Sequence, residues 1–178
     1  MFSVNDKVVY PGHGVAQITR IMEKSIGGDV SAFYELRFLT KEMSILVPKN
    51  SLESVGVRQL STLSDIDGVL DELSRPPRAI NPYELNASSW NKRNKHYQFE
   101  LRTGDLVKIA RIYRDLQHIS LQKELSFGER NLLSQTEELL SQEIGLVRSI
   151  EPEKATTVIR ALFTSVPTSD KVSPVAVL

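Results

Sequence analysis

The chain has no cysteine. Without thiols it can build neither a disulfide framework nor a thiolate metal site, and such a composition suits a reducing compartment. No apolar stretch approaches the roughly 20 residues that a membrane-spanning helix needs. The opening segment, MFSVNDKVVYPG, lacks the basic n-region and apolar run of a signal peptide, so none is expected. Histidine occurs only at His13, His96 and His118, without carboxylates at metal-ligand spacing. Phosphate-cradling loops of the G-x-G-x-x-G and G-x-x-x-x-G-K-[ST] kinds are missing, as is H-E-x-x-H. These absences argue against an enzyme, and no cofactor or metal is expected. His13, between two glycines, reads as a turn histidine bonded to nearby backbone. His96 and His118 read as solvated helix residues, at most brushing phosphate.

What is there is ordinary and globular: 178 residues, 40% hydrophobic and 25% charged, enough for one or two domains with real cores. Residues 1–60 read as β. Strands are predicted over Lys7–Tyr10, Val15–Met22, Phe33–Phe38 and Met43–Val47, with Val55-Gly56-Val57 a candidate short fifth. Pro11-Gly12-His13-Gly14 and Ile26-Gly27-Gly28-Asp29 are the turns between them. Short strands with tight turns predict a small, strongly bent β-barrel of the SH3 or Tudor kind. After Leu60 the period changes, and residues 61–165 predict an all-α domain, so the fold class is α+β. A helix capped near Ser64 runs to Leu73 and is stopped by Arg75-Pro76-Pro77. An irregular connector over 75–87 leads to a helix capped by Ser88 or Ser89 and reaching Leu101. Asp105 caps the next, whose Leu106, Ile109, Ala110, Tyr113 and Leu116 share one face. Ser126-Phe127-Gly128-Glu129 matches a capping box, in which serine and glutamate satisfy each other's backbone donors. A last helix starts at Pro152 and runs through Leu162. Residues 166–178 are expected to be a loose tail.

Net charge is zero, yet the charge is unevenly placed: residues 75–131 hold 11 Lys/Arg against 6 Asp/Glu. That block contains Ser88-Ser89-Trp90-Asn91-Lys92-Arg93-Asn94-Lys95, with the only tryptophan of the chain. By itself the octet reads most simply as a core tryptophan opening a helix, anchored by its N–H. A flat ring beside three bases also suits a wedge pressed against stacked bases while cations hold phosphates. An excess of five positive charges is modest for a duplex binder. Any DNA contact should be weak, salt-sensitive and dependent on a partner.

Five stretches in register resemble the CarD/CdnL bacterial transcription regulators. They are V-N-D-x-V-V-Y-P-G-H-G at the start, the run from Val47-Pro48 to Arg58, W-N-K-R-x-K at Trp90–Lys95, Thr103–Leu116, and L-S-F-G-E-R at Leu125–Arg130. The resemblance spans about residues 1–150. It implies a Tudor-like β domain, shared with the transcription-repair coupling factor, that docks on the RNA polymerase β subunit. It also implies a helical domain on promoter DNA at the upstream edge of the melted region. There Trp90 would wedge into the minor groove, with Arg93 and Lys95 at the basic positions behind it and Arg130 approaching the backbone. On physical grounds Lys92 joins these three as a phosphate contact with little sequence preference. The polymerase-contacting edge would map to Lys24, Ser25 and Ile26 and to Ser44 and Leu46. Leu46 stands where many relatives carry arginine, so docking here should be more apolar, or rest on strand pairing and Lys24. Taken without the resemblance, Lys24 beside a hairpin turn is a solubilising residue.

The implied mechanism is physically coherent. A ring that fits only a distorted groove binds the open state better than the closed one, and that differential shifts the equilibrium. The expectation is a non-enzymatic, monomeric, cytoplasmic and nucleoid-associated regulator that stabilises the promoter open complex. The alternative is an adaptor that docks polymerase or another protein without touching DNA. RNA binding by the β domain is disfavoured by its near-neutral charge and lack of a stacking set.

Overall fold

The computed structural model describes residues 2–27, 29–76 and 87–164. The expected tail over 166–178, most of the predicted connector, and the side chains of Ile26 and Ser88 lie outside the described residues. The β domain has five strands: β1 (Lys7–Tyr10), β2 (Gly14–Ile26), β3 (Asp29–Phe38), β4 (Ser44–Pro48) and β5 (Arg58–Gln59). They form one antiparallel sheet in the order β4-β3-β2-β1-β5. Alternation along the strands turns Val8, Ile18, Leu36 and Val47 into a common core. A register shift interrupts the β2–β3 ladder between Ile18 and Arg20, the kind of irregularity that bends a strand.

The fifth strand is not where the valines suggested. After Pro48 the chain makes a 3-10 turn over Lys49–Ser51 and one helical turn, α1 (Leu52–Val55), which Gly56 ends at φ 81°. That left-handed backbone suits glycine. The strand follows at Arg58–Gln59, paired with Val9 and Val8. Val57 is apolar because the turn carries it into the core, not because it sits in a ladder.

Five longer helices make the second layer: α2 (Leu63–Ser74), α3 (Ala87–Arg102), α4 (Leu106–Gln122), α5 (Phe127–Arg148) and α6 (Pro152–Thr164). The cap of α2 is Thr62, in a capping box with Asp65, two residues upstream of the expected serine. Helix α3 starts at Ala87, so Ser88 and Ser89 lie inside its first turn. Asp105 caps α4 by accepting the Val107 and Lys108 N–H groups, and Ser126 and Glu129 form the predicted box on α5. The helices share one apolar core that includes Ile66, Leu101, Tyr113, Leu116, Leu140 and Ile159.

Carboxylates paired with arginines lock this core at its edges. Glu72 on α2 is 6% exposed and accepts bonds from Arg111 at 2.9 Å and Arg114 at 3.1 Å. Burial pushes its carboxyl up, but the two arginines outweigh that and hold it below the usual value. Glu137 on α5 is held low by its bond from Arg160, against burial. Depressed folded-state values mean this stabilisation is complete above the ordinary carboxylate value of 4.5 and is lost as pH falls through the folded values. Thermal melts followed at 222 nm are therefore expected to give a flat Tm above about pH 5 and a falling one below about pH 4.5.

The two cores meet across a polar joint. Arg58, at the end of the β domain, donates both Nη groups to Glu143 of α5 at 2.7 and 2.8 Å and its Nε to the Gly104 carbonyl at 2.8 Å. Ser61 adds its N–H and hydroxyl to the same carboxylate, whose side chain is 2% exposed. Beside it, Gln142 accepts the Val15 N–H and donates to Thr40 and Glu138. Gln135 donates to the Gly12 carbonyl. The Pro-Gly-His-Gly turn is thus a docking element. Gly14, at φ 97°, leaves room for the Gln142 carboxamide that any Cβ would strike. His13 donates from Nδ1 to the Pro11 carbonyl at 3.1 Å, the backbone-bonded turn histidine its glycine neighbours implied.

Candidate nucleic-acid and polymerase-facing sites

Helix α3 places Trp90 at its first exposed turn, where the side chain is half-buried against the edge of the helical core. Its indole lies on Gly128, the second residue of α5. A Cβ there would sit 3.2 Å from Cζ2 and 3.3 Å from Nε1. The Arg93 guanidinium carbon is 5.8 Å from the ring centroid, within cation–π range.

Arg93 departs from expectation. It was to meet phosphate, but it is 8% exposed and donates from Nη2 to Glu129 at 2.9 Å. Glu129 is 1% exposed and also accepts from Lys123 Nζ at 2.8 Å and the Ser126 N–H at 2.9 Å. Burial pushes the Glu129 carboxyl up, yet the bonds from Lys123 and Ser126 hold it below the usual value. A buried anion of this kind needs its cation. Arg93 could reach phosphate only by giving up its bond to Glu129, leaving that carboxylate to Lys123 and Ser126 alone.

The other basic candidates are exposed but not gathered. Lys92 and Lys95 project into solvent, about 160° and 140° around α3 from Trp90 by helical geometry, and so lie on its opposite flank. Arg130 is on α5, two residues beyond the glycine under the indole; its side chain is 55% exposed and bonds to the Leu125 carbonyl. Sequence reasoning missed Phe127, which stands 73% exposed at the start of α5 next to the Trp90 seat. An apolar residue directly after an N-cap was the signal, since nothing in a capping box requires a phenylalanine there.

The residues expected to face polymerase fall on two elements of the β domain. Ser44 and Leu46 lie on the outward face of β4, which pairs with β3 on one side and with no other strand among the described residues. Leu46 is 40% exposed, while Val47 beside it is buried. Lys24 and Ser25 lie on the hairpin arm opposite Ser31 and Val30, beyond the end of β4, with Ile26 opposite Asp29. Val30 is 68% exposed on the same arm. An open strand edge with an apolar outward residue is suited to strand addition by a partner.

His96 lines a cleft of about 570 Å³ between α3 and α4, along with Lys108, Arg111 and Arg114. Carboxylates match those cations: Lys108 pairs with Glu100 at 3.4 Å, and both arginines with Glu72. His118 contacts Gln122 at 2.7 Å. Among the described residues no group of three His, Asp or Glu is placed to hold a metal, and no helix is long and apolar enough to cross a membrane.

Comparison with known proteins divides the chain as its two cores do. Residues 2–61 match the CarD-like/TRCF RID domain, and residues 81–160 match the CarD C-terminal domain. The candidate transcription factor YdeB of Bacillus subtilis (strain 168) is 24% identical over 152 residues, covering 84% of this chain and 94% of that protein. A solution NMR structure of the 72-residue N-terminal domain of Myxococcus xanthus CarD shares 30% identity over 33% of this chain and 79% of that one, with a TM-score of 0.30. With a polymerase-interacting module in front and the CarD helical domain behind it, the chain belongs to the CarD family of transcription regulators.

Proposed function

We propose that the chain docks on the β subunit of RNA polymerase through the open edge of β4 and the hairpin arm, and holds promoter DNA open with Trp90. The observation that carries this reading is the half-buried indole, the sole tryptophan, seated on the start of α5 where Phe127 stands exposed. Opening a promoter unstacks base steps at a few kcal/mol each, and an apolar ring against an unstacked step returns part of that. Lys92 and Lys95 on α3 and Arg130 on α5 would contact phosphates, setting register without reading sequence. Tethering to polymerase supplies an effective concentration on the order of mM, so weak intrinsic DNA affinity suffices.

The adaptor reading is favoured by one observation: Arg93 is withdrawn into Glu129, which leaves fewer cations beside the indole than the octet suggests. A salt series separates the two. Promoter opening by purified polymerase plus the chain is measured for wild type and for the double variant Lys92→Ala/Lys95→Ala. If both lysines meet phosphate, the log–log salt slope should fall by about 2. An unchanged slope with unchanged opening would leave the adaptor.

A further inference from the structure

The indole of Trp90 is held by two groups that are themselves held. Gly128 supports its Nε1–Cζ2 edge so closely that a methyl group would intrude. Arg93, one turn along α3, presents its guanidinium to the ring from 5.8 Å. Neither is free to shift. Gly128 sits inside the capping box of α5, and Arg93 is clamped by Glu129, the glutamate of that box. One carboxylate therefore joins the cap of α5, the loop residue Lys123 and the arginine beside the indole.

Capping alone does not explain this arrangement. A capping-box glutamate serves its purpose at a helix surface, as Asp65 does on α2, where it is exposed. Glu129 is 1% exposed, and an anion so desolvated is costly unless several donors surround it. Arg93 is likewise withdrawn from solvent, although an arginine beside a nucleic-acid site would ordinarily reach outward. Both burials make sense if the pair fixes something between them, and the group in contact with Arg93 and with the start of α5 is the indole.

We propose that Glu129, acting through Arg93, is a positioning residue for Trp90: it sets the angle of the indole before DNA arrives. The inference rests on the reading of Trp90 as the DNA wedge. A ring free to rotate must be ordered on binding; one already seated avoids that penalty, worth about two- to tenfold in the open-to-closed ratio.

The sole tryptophan makes the test direct, because fluorescence of the full chain reports Trp90 alone. Glu129→Gln keeps the shape of the cap and removes the charge that clamps Arg93. Arg93→Lys keeps the charge and loses the planar group over the ring. Gly128→Ala displaces the ring and spares the ion pair. All three should shift emission to the red and raise acrylamide quenching, with helical circular dichroism kept. In promoter opening with polymerase, Glu129→Gln and Arg93→Lys should lose about two- to tenfold, and that loss should vanish in a Trp90→Ala background. Folded variants with wild-type emission and quenching would overturn the proposal. So would an equal loss of opening with and without Trp90, the mark of a merely structural role. If Glu129→Gln does not fold, Arg93→Lys and Gly128→Ala decide on the same readouts. Should Trp90→Ala alone leave opening unchanged, the wedge reading falls, and the fluorescence arms still judge the positioning.

Discussion

Trp90→Ala should cut the open-to-closed promoter ratio that the chain supports by about five- to thirtyfold, the equivalent of 1–2 kcal/mol of preference for parted strands. The size follows from the differential nature of the effect. Contacts made equally to closed and open DNA shift nothing, and only the portion of the indole that meets unstacked bases counts. The rest of the ring is packed on Gly128 and the edge of the helical core, so the substitution also destabilises the fold. For a half-buried ring that loss should be about 1–2 kcal/mol, below the 3–5 of a fully buried aromatic. The two effects are separable by running permanganate reactivity of unpaired thymines with purified polymerase beside urea denaturation of the chain alone. Trp90→Phe should recover much of the stability and only part of the opening. A folded Trp90→Ala protein with wild-type thymine reactivity would remove the wedge from the mechanism.

The largest stability effect is expected at the joint between the domains. Arg58→Ala should destabilise by about 3–5 kcal/mol, because it strands a buried carboxylate. Glu143→Ala should cost less. The charge it leaves behind is Arg58, whose side chain is 28% exposed against 2% for Glu143 and so can rehydrate. Ser61 softens neither loss fully, since its two bonds satisfy one oxygen of Glu143 and carry no charge. The double variant should therefore resemble Glu143→Ala and not the sum of the single changes. Urea titrations followed at 222 nm and by Trp90 fluorescence give the ranking. Equal costs for Arg58→Ala and Glu143→Ala would mean that the joint contributes packing and little electrostatics.

Much of this architecture was legible in local pattern. The hairpin glycines, the Asp105 cap and the Ser126–Glu129 box each satisfy backbone groups within a few residues, so their signals are short and self-contained. The misplaced fifth strand has the same origin. Val55-Gly56-Val57 looks like a strand because apolar residues flank a glycine, and only the left-handed φ at Gly56 shows that the glycine ends a helical turn. The candidate site was legible in part. Trp90 stood out by rarity, whereas Ser44 and Leu46 were indicated only by the family resemblance. Arg93 could not be placed from spacing, because its partner Glu129 lies 36 residues away and no periodicity links the two helices. Nor could the Pro-Gly-His-Gly turn be seen as a joint, since its contacts to Gln135 and Gln142 are made only once the chain has folded back.

Helix α5 carries Glu129 near its first turn and Gln142 and Glu143 fourteen or so residues on, about 20 Å along one rigid rod. The indole's seat and the anchor of the polymerase-facing domain are thus indexed to a single ruler. Substitution along its solvent side changes little, but inserting or deleting one residue between those marks would swing the seat about 100° around the axis. The spacing inside α5 therefore couples the two ends, and a change in helix length there should cost more than any single substitution on its solvent side.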